Sequence, residues 1–173
     1  MISIERPAQS NIEIEFVLID FEGTLASDRQ VHPKAKDKIN LLSKRTKIYI
    51  LVNPPTPPFN KGGKGGILAK EKREVVEEKL RKVKAEIAYL EKGDASQRKL
   101  DLLRNLGAMR CVAIGNGVDD APMIQEAGFG ICILGKEGAS SEALKNADVV
   151  FVDILDALDF LLKPLRQKAT LGL

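Results

Sequence analysis

VLIDFEGTLA, residues 17–26, is the stretch on which the reading of the fold turns. Val17, Leu18 and Ile19 form an apolar run of the kind found in a strand buried on both faces, and the run stops at Asp20. The chain then turns through Gly23 to Thr24. A carboxylate at the carboxyl end of a central strand is costly unless a cation or a dense hydrogen-bond shell compensates it. It can also simply close the strand by accepting turn amides. A second stretch, AIGNGVDDAPM at 113–123, weighs between the two. It repeats the pattern: a buried run, a glycine-rich turn, then Asp119 and Asp120 at the head of a helix. In a parallel sheet two such strand ends can lie side by side, so Asp20 and Asp120 are expected to converge on one hard cation. Mg²⁺ favours oxygen ligands and keeps room for water and phosphate. Free amides of the Gly23 turn and the Thr24 hydroxyl would then face phosphate oxygens.

Working outward, short β-branched runs alternate with helical patterns. Strands are expected at Phe16 to Asp20, Lys47 to Val52, Arg110 to Ile114, Gly130 to Leu134 and Asp148 to Val152. Helices are expected at Pro33 to Lys44, Ser96 to Leu106, Ala121 to Ala127, Ser140 to Lys145 and Leu155 to Leu162. This succession implies an α/β fold, a Rossmann-like three-layer sandwich on a mostly parallel sheet. Sites in such sheets lie beyond the carboxyl ends of the strands. Ile2-Ser3-Ile4 and Ile12-Glu13-Ile14 alternate with period two around a turn, which reads as an N-terminal β-hairpin.

One domain over 1–173 is expected, interrupted in the middle. Residues 53–66, NPPTPPFNKGGKGG, hold four prolines and four glycines, so 53–68 reads as an inserted loop tract. Residues 69–92 then read as an inserted charged helix ended by Gly93. Val76, Leu80, Val83, Ile87 and Leu90 mark one narrow apolar stripe on it, suited to docking on its own domain or to a homo-oligomer seam.

Composition excludes several classes. Hydrophobic residues at 44% and charged residues at 29% describe a globular chain. A net charge of +3, no Trp and 5% aromatics argue against a nucleic-acid reader. Cys111 and Cys132 lie in apolar runs and read as reduced packing residues, while a single His32 rules out a zinc cluster of the usual kind. The charged start MISIERPAQSNIEIEF resembles neither a signal peptide nor an anchor, so no membrane partner and a cytoplasmic location are expected.

The two acidic stretches carry a resemblance. Asp20-Phe-Glu22-Gly23-Thr24 resembles the first motif of the haloacid-dehalogenase-like (HAD) phosphohydrolases, Asp-x-Asp-Gly-Thr. Gly115-Asn116-Gly117-Val118-Asp119-Asp120 resembles the fourth, Gly-Asp-Gly-x-Asn-Asp. GNGVDDAPMIQEAGFGICILG is similar to the phosphorylation domain of P-type cation ATPases, and the chain is most similar to their soluble relatives without membrane segments. The resemblance implies a HAD core without a large cap domain, a Mg²⁺ cofactor and a phosphorylated small molecule or macromolecule as substrate. It implies an aspartyl-phosphate on Asp20, with Glu22 in the acid–base position. Lys99 (or, less well matched, Arg98) would be the neutralising cation of the third motif. Gly23, Thr24, Asn53 and Asp119 would form the phosphate site. Asp20, Asp120, Asn116 and the backbone carbonyl of Glu22 would hold the metal.

Four positions depart from the pattern. Glu22 replaces the usual Asp and is one methylene longer, and misplacement by about 1 Å costs on the order of a hundredfold. Asn116 stands where the metal-binding Asp is usual, and Asp119 where Asn is. Val52 stands where the second motif has a hydroxyl, leaving Asn53 or Thr56 as substitutes. A slow phosphohydrolase is therefore expected; the alternative is an impaired HAD pseudo-enzyme that binds phosphate, metal or a partner protein.

Overall fold

The computed structural model describes residues 1–6, 9–27, 30–55 and 65–172. Its elements in chain order are β1 (Ile2–Arg6), β2 (Gln9–Ile14), β3 (Phe16–Asp20), β4 (Ala26–Ser27), β5 (Gln30–Val31), α1 (Pro33–Leu42), β6 (Lys47–Val52), α2 (Gly65–Lys79) and β7 (Glu86–Tyr89). They continue as α3 (Ala95–Leu106), β8 (Cys111–Gly115), α4 (Ala121–Glu126), β9 (Phe129–Ile133), α5 (Ser141–Asn146), β10 (Val149–Phe151), α6 (Ile154–Leu162) and α7 (Pro164–Leu171). Single 3₁₀ turns lie at Ala108–Arg110 and Val118–Asp120.

Six strands form one sheet in the order β10-β9-β8-β3-β6-β7, and every neighbouring pair is parallel. The reason is visible along β3, whose residues face opposite sides in turn. Val17 and Ile19 enter a core shared with Ile39 of α1, Val76 of α2 and Leu158 of α6. Leu18 enters the other core, with Leu103 of α3, Met123 of α4 and Ala143 of α5. A strand covered by helices on both faces needs apolar residues at both parities, and that requirement made the runs readable. This is the expected α/β three-layer sandwich, and no large cap is seen among the described residues.

The hairpin β1–β2 is antiparallel, with Ile2 opposite Ile14 and Ile4 opposite Ile12, and all four are buried in the first core. Cys111 and Cys132 are free and buried. Burial pushes the Cys111 thiol up to about 11, as suits packing residues rather than nucleophiles. Among the described residues, no helix is long and apolar enough to cross a membrane.

The middle of the chain corrects the sequence reading. The helix expected over 69–92 ends at Lys79, and residues 86–89 form the edge strand β7, paired in parallel with β6. Lys82 adopts a left-handed backbone, φ 68°, which turns the chain out of the helix. Asn40 of α1 fixes that turn, donating to the Lys82 carbonyl at 3.0 Å and accepting from Lys84 N at 2.7 Å. The apolar stripe is thereby divided. Val76 and Leu80 are buried, and Val83 and Ile87 pack on the same core from beyond the helix end. A continuous two-heptad seam for a homo-oligomer does not exist. Most of the Pro/Gly tract, including Thr56, lies outside the described residues, as does the tip of the first hairpin.

Topology then sets the site. From β3 the chain runs to β6 and β7 on one side and returns to β8 on the other, so the switch point is the crevice at the carboxyl ends of β3 and β8. Far from it, α1 and α6 are joined by Asp159, buried between Lys38, Lys163 at 3.1 Å and Arg166 at 3.5 Å. Burial alone would raise its carboxyl, but hydrogen bonds from Lys38 and Lys163 hold it below the ordinary carboxylate range. A depressed folded-state value means stability that is present above the unfolded value of about 4 and is lost as pH falls through the folded one. Asp159→Asn should therefore cost about 1–2 kcal/mol in urea unfolding at pH 7. The difference from wild type should shrink below about pH 4.

Candidate active site

Asp20 is the last residue of β3, and the turn after it is closed by the backbone. Leu25 N donates to Asp20 O at 3.2 Å, Ala26 N to Phe21 O at 2.8 Å and Gly23 N to Ala26 O at 3.0 Å. The Gly23 amide is thus spent inside the turn and does not face outward, contrary to expectation. Gly23 is needed for another reason. Its φ is +77°, and a Cβ there would stand 2.8 Å from the Asn116 amide nitrogen.

The β8 tip is built by a parallel device. Asp120 Oδ2 accepts from Asn116 N at 3.0 Å and Gly117 N at 2.9 Å, which binds the loop to the head of α4. A side chain at Gly115 would place its Cβ 2.3 Å from the Asp120 carboxyl carbon, so only glycine lets this carboxylate fold back over the strand end.

The two tips meet on Lys99. This lysine lies on α3 and is fully buried, its Nζ 2.8 Å from Asp20 Oδ1, 2.7 Å from Asp120 Oδ1 and 2.8 Å from Asp119 Oδ2. Arg98 points away, 3.9 Å from Glu91 and exposed, which leaves Lys99 as the lysine of the site. Asp119 also accepts from Asn53 Nδ2 at 3.1 Å, and Asn53 N donates to Glu22 Oε2 at 3.4 Å. Thr24 Oγ1 donates to Asn116 Oδ1 at 3.1 Å, and Asn116 Nδ2 donates to the Gly138 carbonyl. Val52 is buried at the end of β6 and has no side-chain donor, whereas Asn53, the next residue, turns its side-chain amide to Asp119. The structure thus gathers Asp20, Glu22, Gly23, Thr24, Asn53, Lys99, Asn116, Asp119 and Asp120 around one crevice.

One participant was not read from sequence. Lys72 of α2 reaches Asn53 O at 2.7 Å and Glu22 Oε1 at 2.5 Å. It was hidden in a segment dense with charge, where no pattern distinguishes it from its neighbours.

Electrostatics show what the cluster lacks. Burial, then the adjacent Asp120 charge, push the Asp20 carboxyl well above its ordinary range despite Lys99. Burial also raises Asp120, against Lys99 and the Gly117 amide. Burial would lower Lys99, yet the carboxylates of Asp20 and Asp120 raise it. Asp119, half-buried, is held low by Lys99 in spite of its own burial. Three carboxylates face one ammonium, so the cluster is short of positive charge. Among the described residues no three His, Cys, Asp or Glu side chains are arranged to hold a metal by themselves. Two carboxylates are nonetheless a usual protein share for Mg²⁺, which completes its shell with water and phosphate. The donor chemistry and the charge deficit fit that ion. Asn53 Oδ1 is buried and receives no hydrogen bond, and Glu22 Oε1 is buried with its ion pair to Lys72 as its contact.

No protein-family model matches the chain. A stretch of 61 residues is 48% identical to an uncharacterized protein of Methanocaldococcus jannaschii, spanning 35% of this chain and 66% of that protein, just under two-thirds of its length. Solved structures resemble most of the chain. The 3-deoxy-D-manno-octulosonate 8-phosphate phosphatase of Moraxella catarrhalis, in complex with magnesium ion, phosphate ion and KDO, aligns with a TM-score of 0.65 at 15% identity, over 92% of each chain. The cobalt-bound deoxy-D-mannose-octulosonate 8-phosphate phosphatase of Haemophilus influenzae gives 0.64 at 14% identity, over 91% of this chain and 88% of that one. A putative HAD family hydrolase from Streptomyces avermitilis gives 0.62 at 19% identity, over 89% and 94%. The fold is that of the HAD phosphatases.

Removing the ammonium would leave like charges buried together. Lys99→Met should lower the free energy of unfolding at pH 7 by about 3–5 kcal/mol, read from chemical denaturation. A loss within about 0.5 kcal/mol, the range of ordinary surface changes, would show that the cluster is not held by this lysine.

Proposed function

We propose that this chain is a magnesium-dependent HAD phosphohydrolase that acts on phosphate monoesters through Asp20, and that it turns over slowly. The observation that supports it above all is the shared grip of Asp20 and Asp120, from neighbouring strand tips at the switch point, on Lys99. Structural likeness to phosphatases with bound magnesium or cobalt adds to it.

In this reading Asp20 and Asp120 hold the ion, with Asn116 and the backbone carbonyl of Glu22 as further oxygen donors. Bound there, Mg²⁺ supplies positive charge against the phosphoryl oxygens. Asp20 attacks phosphorus as the ester P–O bond breaks, giving an aspartyl-phosphate, and Glu22 gives its proton to the leaving oxygen. Water then attacks the same phosphorus, Glu22 takes the proton, and the bond to Asp20 breaks to release phosphate. Lys99 neutralises nucleophile and phosphoryl group together, and the Thr24 hydroxyl binds a phosphoryl oxygen. Asp119 acts by orienting Asn53 and Lys99. Slowness has a local cause: Glu22 is held by Lys72 and Asn53 and must leave that pair to reach the leaving group.

A second reading, a binding protein without turnover, is favoured by the buried Val52 and by an Asn116 already engaged with Thr24 and Gly138. Aryl-phosphate hydrolysis separates the two. It should require Mg²⁺ and fall by about 10³-fold or more in Asp20→Asn. Equal signal in wild type and variant would move the assignment to the second reading. Independently of turnover, saturating Mg²⁺ should raise the melting temperature of wild type and not of Asp120→Asn.

A further inference from the structure

Beside Asn53, at the carboxyl ends of β6 and β7, the surface opens into a cleft of about 210 Å³. Asn53 and Pro54 form its inner wall, Tyr89 its apolar face, and Lys72, Arg73 and Lys92 its polar side. The cleft adjoins the carboxylate cluster, because Asn53 bonds both Glu22 and Asp119. We propose that it is the leaving-group subsite, and that it selects phosphate monoesters whose short leaving group carries a second anion, a carboxylate or another phosphate.

The charges on its wall carry this inference. Lys72 is occupied by Glu22 and the Asn53 carbonyl. Arg73 and Lys92 are not: among the described residues neither guanidinium nor ammonium has a carboxylate within ion-pair distance. Arg73 lies over the Tyr89 ring, 4.8 Å from its centre, which holds the guanidinium plane in place along the cleft. The one acid on the wall, Glu91, leans toward Arg98 at 3.9 Å. A wall with two unmatched cations attracts an anion carried by the leaving group, while the phosphoryl end would be met by the metal ion that the proposed reading places on the carboxylate cluster. The cleft has room for a frame of a few carbons and one charged group. Asn53 Oδ1, buried without a donor, is an acceptor suited to a hydroxyl on that frame.

This rests on the phosphohydrolase reading, and three esters of one carbon length test it: glycerol 1-phosphate, 3-phosphoglycerate and 1,3-propanediol bisphosphate. Wild type with Mg²⁺ should give kcat/KM at least about tenfold higher for one or both doubly anionic esters than for glycerol 1-phosphate, and which of them gains identifies the second anion. Arg73→Gln with Lys92→Gln should remove that preference. Equal values for the three esters, or a preference that survives the double variant, overturns the proposal. If no ester is turned over, the phosphohydrolase reading fails by itself. The subsite is then judged by calorimetric binding of 3-phosphoglycerate, which should weaken about tenfold in the double variant; an unchanged Kd overturns it.

Discussion

The buried ammonium of Lys99 is the contact on which the site depends. Carboxylates at the tips of β3 and β8 repel each other and lose their hydration there, and the lysine makes their approach tolerable. Everything around it serves that approach. Gly115 leaves room for the Asp120 side chain, the amides of Asn116 and Gly117 fix its far oxygen, and the parallel register sets Ile19 beside Ile114 so that the two tips emerge together. One cation is still too few for three acids. The unmet negative charge is what makes binding of a cation a physical expectation of the cluster rather than an analogy of fold.

Where the sequence could be read, a periodic or steric demand wrote the answer into local residues. Strands covered on both faces had to be apolar at both parities, and β3 and β6 were legible to the residue. That Asp20 and Asp120 would meet was legible from two strand-tip stretches, and that Lys99 would join them from a resemblance to a third motif on a helix. Where the reading failed, the deciding interaction came from elsewhere in the chain. No glycine or proline marks the turn after α2; Lys82 takes the left-handed position with its carbonyl and the Lys84 amide held by Asn40, more than forty residues earlier. A strand thus begins inside an apolar spacing of three and four that mimics a helix. The strands β4 and β5 have two residues each, below the length at which alternation exists. The spent Gly23 amide was likewise invisible, since it depends on how the turn closes.

The segment after β6 changes the chemistry as well as the outline. By sending Lys72 to Glu22 and Asn53, α2 ties the residue proposed for the acid–base role to the residue that follows Val52. The departures at 22 and 52 are thus mechanically linked: one carboxylate and one amide, bridged by a lysine from outside the core motifs. The same segment brings Arg73 to the cleft wall, the part of the surface that a leaving group would meet in the proposed reading.

A crystal structure grown with Mg²⁺ and beryllium fluoride tests the central claim most directly. The account predicts beryllium bound to an Asp20 carboxylate oxygen and one magnesium at about 2.1 Å from both Asp20 and Asp120, with Lys99 turned toward the fluorides. Fluoride without a bond to Asp20, or a magnesium that reaches only one of the two carboxylates, would contradict it.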